Sequence, residues 1–453
     1  MTPSPIKLHE RLGYGIGDLA SAMMMFTTVS FLMPFYTDVA GLAAAAVGAM
    51  LFAVRVWDAV WDVVVGLIAD RTRTRWGRCR PYILGGGLLM AVAWIATFQG
   101  DWAHGSLAYA TVTYALLMMA FSLVNIPYSA LPTLMTTDAK DRLRLQSWRG
   151  FFGSSAPMVV SAMMLPLVGA LGAGNATLGY SRAIMVMAAV ALAMHVFCFA
   201  VVRERVVAPP PQATPTGGSI APDLRALLRS RAWRFLLLIT TLVLCSIMLP
   251  IGSAVYYYTH VVGDAGASGL FFAASGVGGL VGSLLSSRLA ARWCKRRVAS
   301  LTLLTAAAIW LSFLVLPPEL KAGGWALALV GGIAGYIGAP ILWSTINDTA
   351  DQVELESGRQ VVGLVAATFS FAAKVAMGVA SLIVGGLLGL AGYTAGAAPT
   401  PEVKQVILLL MSVLPAIGFA SASYTFGRAP FSAAEVAKRT QALSLRRGAS
   451  PAA

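Results

Sequence analysis

Charge is what this 453-residue chain has least of. Asp, Glu, Lys and Arg make up 11% of it, against about 25% in ordinary soluble domains. That scarcity excludes a soluble enzyme and a disordered chain alike, since neither could carry so much apolar surface in water. The four cysteines (Cys79, Cys198, Cys245, Cys294) form no CxxC pair, so neither a disulfide framework nor a zinc site is expected. The four histidines are scattered without an HExxH, and no Walker A loop appears, so no metalloprotease chemistry and no ATP-driven step is expected. The N-terminus runs straight into an apolar stretch without a small-residue cleavage pattern, and no signal peptide is expected. The triplet Asn175-Ala-Thr177 is a sequon by spelling only.

What is present is hydrophobic: 58% of residues. A helix needs about 20 apolar residues to cross the hydrocarbon. Twelve such runs are predicted, near 12–37, 43–69, 81–99, 105–134, 149–172, 183–202, 233–260, 267–290, 298–317, 323–347, 361–391 and 403–427. The net charge of +14 would suggest nucleic acid in a soluble protein. Here the basic residues sit in alternate loops: Arg71 to Arg80, Lys140 to Arg144, Arg203 to Arg234, Arg288 to Arg297, and the tail with Arg446 and Arg447. The other loops hold only Arg182, Lys321 and Lys404. By the positive-inside rule both termini are cytoplasmic. The loop after the tenth run is the exception, with Asp348, Asp351, Glu354 and Glu356. Acidic residues count little in that rule.

Residues 206–222, with Pro209-Pro210-Pro211 and Gly217-Gly218, read as a flexible linker that divides the runs six and six. The expected division is an N-terminal six-helix bundle over 1–203, a cytoplasmic linker over 204–232, a C-terminal bundle over 233–427 and a tail over 428–453. The halves echo each other. Arg71 to Trp76 returns as Arg288 to Trp293, and Ile126-Pro127 before Asp138 returns as Ala339-Pro340 before Asp351. Repeated halves point to a transporter that rocks around a central site. Pro127, Pro132, Pro157, Pro166, Pro340 and Pro415 are expected to kink helices. Gly276, Gly278, Gly279 and Gly282 are expected to let helices pack closely.

Ionisable residues inside spans cost about 2.5–3.5 kcal/mol each on insertion scales, so each needs a reason. Asp18, Arg55, Asp58, Asp62 and Lys374 lie inside runs, and Arg149 opens the fifth. At about 100° per residue, Asp58 and Asp62 fall roughly 60° and 20° behind Arg55, on one face. A structural ion pair would let Arg55 neutralise one carboxylate and leave one over. The surplus carboxylate fits a coupling cation: Na⁺ through hard oxygen ligands, or H⁺, since burial and a like-charged neighbour favour a protonated acid. Trp343, Tyr128, Asn125 and Ser370 add aromatic faces and polar handles beside Lys374 and Asp18, a mixture suited to sugar hydroxyls and C–H faces.

Several motifs resemble the glycoside–pentoside–hexuronide:cation symporter family of the major facilitator superfamily, over nearly the whole chain. These are Leu12 to Asp18 with Tyr36-Thr37-Asp38; Arg55-Val-Trp57-Asp58-Ala-Val-Trp61-Asp62; Asp70 to Tyr82; and Asn125-Ile126-Pro127-Tyr128. The resemblance implies twelve transmembrane helices in two pseudo-symmetric bundles. It implies a coupling cation on Asp58 and Asp62, with help from Ser122. It implies sugar contacts at Asp18, Asn125, Arg149, Trp343, Ser370 and Lys374, and Tyr128 is assigned to the same substrate site as an aromatic face. Asn125 stands where the pattern has aspartate, so galactoside specificity is not carried over. Trp61 stands where it has asparagine, which removes an oxygen ligand and tilts the expectation from Na⁺ towards H⁺.

The expected function is therefore cation-coupled (H⁺ or Na⁺) symport of a sugar or glycoside by alternating access, in a multi-pass inner-membrane protein. It is not an enzyme. No cofactor is expected beyond the ion; Asp58 and Asp62 would be metal ligands only under Na⁺ coupling. The partners are the sugar, the cation and the bilayer, with no nucleic acid and a monomeric state. Arg55, Asp70, Arg71, Arg75 and Arg78 are assigned structural or gating roles, with the 71–80 and 288–297 loops meeting to favour the outward-facing state. A lysolipid or amphiphile carrier on the same fold is the alternative. A drug/H⁺ antiporter is disfavoured by Asp58 and Asp62, and a sensor by the want of a signalling domain.

Overall fold

A computed structural model describes residues 6–206, 221–358 and 361–431, with Glu435 and Ala442 beyond. The tail arginines, most of the linker and the side chain of Asp70 lie outside the described residues. The helices in chain order are α1 (Leu8–Pro34), α2 (Ala44–Arg71), α3 (Arg80–Thr97), α4 (Gly100–Ala103), α5 (Leu107–Met135), α6 (Ala139–Ser154), α7 (Ala156–Gly172), α8 (Ala176–Val201), α9 (Ala221–Arg229), α10 (Arg231–Tyr256), α11 (Ala267–Arg292), α12 (Lys295–Leu311), α13 (Lys321–Ser357), α14 (Val362–Leu390), α15 (Pro401–Met411) and α16 (Val413–Arg428). Five-residue π turns extend α1 (Phe35–Val39) and α10 (Tyr257–Val261). Among the described residues eleven segments are long and apolar enough to span a bilayer. The second predicted run, α2, is long enough at 28 residues but carries Arg55, Asp58 and Asp62 inside it.

An all-helical architecture follows from the medium. Without water to satisfy backbone N–H and C=O groups, a spanning segment must bond within itself. Polar side chains mark where helices begin. Ser106 accepts from the N–H of Tyr109 at the start of α5, and Asn175 accepts from Leu178 at 3.2 Å at the start of α8. The apparent sequon is thus a helix cap. The start of α1 is pinned by Glu10, which accepts from the Lys7 N–H at 2.9 Å and pairs with Arg205 at 2.6 Å; Arg11 pairs with Asp141 at 3.2 Å.

Four sequence expectations shift. Lys140, Arg142 and Arg144 lie on helix α6 rather than in a loop, because the fifth span starts ten residues early and breaks at Ser155. Pro157 and Pro415 open α7 and α16 instead of kinking helix interiors; the first turn lacks an N–H partner anyway, so proline is tolerated there. The acidic stretch from Asp348 to Glu356 continues α13, a 37-residue helix closed by Gly358 in the left-handed region at φ 72°. Part of the linker, residues 221–229, is helix α9.

Packing divides the chain into two compact units: Met1–Gln212 with Ile251–Gly276 and Ser381–Ile407, and Ala213–Pro250 with Val277–Ala380 and Leu408–Ala453. In the first, α3 packs between α5 and α8, while α1 lies against α6 and α8 and α2 against α5. In the second, α12 packs on α13 and α16. The glycines of α11 do what their spacing predicted. A Cβ on Gly278 would stand 2.2 Å from the Leu329 carbonyl oxygen, and one on Gly282 2.4 Å from that of Ile333. Only a bare backbone lets α11 and α13 come this close.

Candidate functional site

The two carboxylates of α2 anchor the first cluster. Asp58 is fully buried and accepts a 2.8 Å hydrogen bond from the Ser122 hydroxyl of α5. Asp62, one turn on, is half-buried. Trp61 ties the same stretch of α2 to α5 by donating to the Met119 carbonyl at 3.3 Å. The set offers two carboxylates and a hydroxyl, all hard oxygen donors, which suit Na⁺ as ligands or H⁺ as bases.

Arg55 makes contacts with α1 and α5. It is 4% exposed, and its guanidinium donates to the Met25 sulfur at 3.2 Å and lies 5.9 Å from the centre of the Tyr114 ring. Angular register puts Arg55 on the face of the carboxylates, and its long side chain reaches towards α1 and the aromatic face of Tyr114.

The second cluster is built around Arg149 of α6. Its Nε donates to Asp18 of α1 at 2.8 Å, Nη1 to the Ser129 hydroxyl at 3.0 Å, and Nη2 to the Asn125 side-chain oxygen at 3.2 Å. Three directions of the guanidinium fork are thus fixed by acceptors on two other helices, α1 and α5. The cation also lies 5.4 Å from the Tyr128 ring centre, and Tyr128 stacks on Tyr14 at 4.7 Å with rings 6° apart. Gly153 makes room: a Cβ there would sit 2.4 Å from an Asp18 oxygen. Asp18 and Arg149 keep side-chain exposures of 17% and 22%, enough to meet a solute.

The structure brings the predicted Asp18, Asn125 and Arg149 together, and sets Tyr128, 2% exposed, behind Arg149. Ser129 and Tyr14 were missed. Both were accessible to the helical rule: Ser129 lies one turn after Asn125, and Tyr14 one turn before Asp18.

In the second unit, Trp343 of α13 is 60% exposed, with its ring 4.8 Å from that of Phe369 on α14. Ser370, next to Phe369, is exposed, and Lys374 follows one turn later, half-buried. These residues form their own polar and aromatic face.

The arginine-rich turn before α3 is a knot tied by a residue the sequence did not flag. Glu204 accepts from the backbone N–H groups of Arg78, Cys79 and Arg80 at 2.8, 2.8 and 2.9 Å, at the start of α3 where unpaired donors gather. Gly77 sits at φ 111°, and a Cβ on it would fall 2.5 Å from the Glu204 carboxyl carbon. Arg78 bonds the Ala69 carbonyl at 3.0 Å, and Arg80 the Phe199 carbonyl at 2.7 Å. Arg71 and Arg75 are exposed. In the second unit, Lys295 of the matching loop pairs with Asp348 at 3.6 Å.

A family model described as MFS/sugar transport protein matches residues 13–432. The chain belongs to that family of the major facilitator superfamily. Within it the transporter joins the glycoside–pentoside–hexuronide group, as its relatives show. It is 33% identical over 420 residues to the inner membrane symporter YicJ of Escherichia coli, covering 92% of this chain and 90% of that one. It is equally similar, 33% over 418 residues, to the putative glycoside/cation symporter YagG of the same organism, with 92% and 90% covered. The isoprimeverose transporter of Lactiplantibacillus pentosus is 29% identical over 420 residues, with 90% and 86% covered. Among solved structures, a D-xylose–proton symporter aligns at TM-score 0.63 and 13% identity over 93% of this chain and 96% of that one. A bacterial homologue of the lysosomal transporter Spinster aligns at 0.65 and 14%, covering 92% and 96%. At such identities these two show the fold alone. The transporter is therefore an all-helical, multi-pass membrane protein of the major facilitator fold.

Proposed function

We propose that the transporter carries a sugar or glycoside by symport with H⁺ or Na⁺. Asp58, Asp62 and Ser122 hold the cation, and Arg149 with Asp18, Asn125 and Ser129 holds sugar hydroxyls. Trp343, Ser370 and Lys374 are the second unit's sugar contacts. The reading rests chiefly on the guanidinium of Arg149, clamped by Asp18, Asn125 and Ser129 while still partly exposed. Such a fork is pre-organised to donate to a solute without losing rotamer freedom on binding. The relatives' printed names, glycoside/cation symporter and isoprimeverose transporter, support a sugar over an amphiphile.

The basic loops support an inner-membrane orientation with both termini in the cytoplasm, and the repeated motifs support the six-and-six division over 1–203 and 233–427. Arg71, Arg75 and Arg78 keep their proposed gating role, the transporter acting as a monomer. Cation binding raises sugar affinity, and by linkage sugar raises cation affinity by the same factor.

The test is thermal unfolding of the detergent-purified protein against glycosides, pentosides and uronides, with and without Na⁺ and at two pH values. A ligand that binds the native state raises stability by mass action. One sugar that raises the melting temperature, tuned by Na⁺ or by pH alone, identifies both substrates; Asp62→Asn should abolish the tuning. Stabilisation by lysolipids and by no sugar would overturn the reading.

A further inference from the structure

The π turns that extend α1 and α10 are copies of one another. Phe35-Tyr36-Thr37-Asp38-Val39 and Tyr257-Tyr258-Thr259-His260-Val261 share three identities in five positions, at a spacing of 222 residues (257 − 35). Their backbones match bond for bond. Ala40 N–H donates to the Phe35 carbonyl at 3.0 Å and Leu42 to Tyr36 at 2.9 Å; Val262 donates to Tyr257 at 3.1 Å and Asp264 to Tyr258 at 2.8 Å. Each turn ends on a glycine in the left-handed region, Gly41 at φ 68° and Gly263 at φ 79°, again 222 apart (263 − 41). Two π turns at equivalent places in two halves are unlike random irregularity, because such turns are rare and gather at functional sites.

The copies differ where it matters chemically. One carries an acid, Asp38, and the other a base, His260. A third residue joins them. Tyr393 donates to Asp38 Oδ1 at 2.6 Å, and its oxygen lies 2.8 Å from His260 Nε2. Thr37 donates to the same Asp38 oxygen at 2.8 Å and meets the Tyr256 hydroxyl at 2.8 Å. One assignment runs Tyr256 O–H to Thr37 O–H to Asp38, and His260 N–H to Tyr393 O–H to Asp38; Thr37 then gives its one proton to Asp38 at 2.8 Å rather than to the more distant Met33 and Pro34 carbonyls at 3.2 and 3.3 Å. All protons point at the one carboxylate. Burial first, and the Asp38 charge next, push the Tyr393 hydroxyl well above its ordinary value, so it stays a donor. The rings of Tyr256, His260 and Tyr393 pack at 5.4 to 6.4 Å. The helices themselves are allowed close by Gly48 and Gly385, where a Cβ would lie 2.8 and 2.4 Å from the Ser381 and Ala44 carbonyl oxygens. All of these residues belong to the first compact unit, which draws together chain from before and after the linker.

We propose that the two matching turns, bridged by Tyr393, form a latch at the end of the helices remote from the N-terminus, and that its release is a required step of the transport cycle. Asp38, His260 and Tyr393 are then positioning residues for transport without touching sugar or cation. The assignment of the latch to the outer face rests on the orientation proposed above; its existence does not.

The decisive measurement is hydrogen exchange of the full-length protein in nanodiscs, without sugar or cation. Residues 35–42 and 256–264 are followed, and α5 serves as the internal control. Tyr393→Phe keeps the ring and removes both bonds. Exchange at both turns should rise about tenfold or more, as loss of a hydrogen bond to a charged group implies, while α5 is unchanged. The sugar-induced melting shift should survive and the maximal uptake rate should fall. Asp38→His and His260→Asp should each behave like Tyr393→Phe, and the double exchange should restore slow exchange and uptake, because the acid and the base then merely trade equivalent turns. Unchanged exchange at the turns, exchange raised equally in α5, or a double variant no better than the singles overturns the latch. None of these results bears on whether sugar and cation bind, which the melting experiment decides separately.

Discussion

Asp58 and Arg149 show how an ionisable residue can lie within a membrane-spanning segment. Neither is left to the hydrocarbon: Asp58 has the Ser122 hydroxyl, and Arg149 has three acceptors and two aromatic rings behind it. Removing a partner should cost accordingly. Ser122→Ala removes one hydrogen bond to a charged group, worth about 1.5–3 kcal/mol. It should weaken the coupling cation's effect on the sugar melting shift by roughly tenfold or more in cation concentration, while the shift at saturating cation persists. A Ser122→Ala protein with unchanged cation dependence would argue against a hydroxyl ligand. Arg149→Lys replaces a fork by a point donor, which cannot serve Asp18, Asn125 and Ser129 together. Sugar affinity should drop at least about tenfold in a binding titration, and Arg149→Lys should lose nearly as much as Arg149→Gln. The polar positions of this site were legible because charged residues in spans are scarce enough to notice. The surroundings of Tyr128 and Arg55 were less legible for a common reason: a helical wheel gives the direction of a Cβ, whereas a long or aromatic side chain chooses its partner by reach. No rule of spacing could have told that Arg55 turns to Met25 and Tyr114.

At the level of elements, the turn before α3 is held from outside its own sequence. Three backbone donors meet Glu204, more than 120 residues away, and a distant acceptor of this kind leaves no local pattern. Sequence reading therefore saw the arginines, which are many, and missed the carboxylate that orders them. Glu204→Ala strands three N–H groups and should destabilise the protein by on the order of 3 kcal/mol, seen as a lower melting temperature and faster proteolytic cutting within 71–80. Glu204→Gln, which retains one acceptor oxygen, should recover about half. Gly77→Ala should be harmful through a separate cause, its positive φ and the contact with Glu204. A cost of about 1–3 kcal/mol is expected from strain alone, and the same proteolysis assay reads it. The helix starts at Pro157 and Pro415 teach the converse lesson. A proline in an apolar run marks either a kink or a new first turn, and which one it is depends on packing that the run does not reveal.

For the whole molecule, hydropathy was a sound guide because the bilayer leaves so few options. Twelve apolar runs were counted, and eleven described segments meet the demands of length and apolarity. The remaining predicted run is α2, 28 residues long, with Arg55, Asp58 and Asp62 inside it. Compact packing, in contrast, was not legible. The first unit takes in 251–276 and 381–407, which linear order assigns to the later half. The paired turns at Asp38 and His260 account for part of that attachment. Reciprocity supplies a prediction at this scale: whatever factor saturating sugar lends to cation affinity, saturating cation must lend to sugar affinity. Two titrations by calorimetry, one in each direction, should return equal factors, and Asp62→Asn should bring both to one.

The 37 residues of α13 run about 55 Å at 1.5 Å per residue, whereas the hydrocarbon layer is about 30 Å thick. Nearly half of this helix therefore stands beyond the oily slab, ending in the carboxylates from Asp348 to Glu356. That end is packed for most of its length: Lys295 of α12 pairs with Asp348 at 3.6 Å, and Thr349, Val353 and Glu354 are buried. Only its last turn, from Glu356 to Gly358, is exposed, so a binding protein raised against that turn would report on the tilt of α13 without disturbing the packed carboxylates below it.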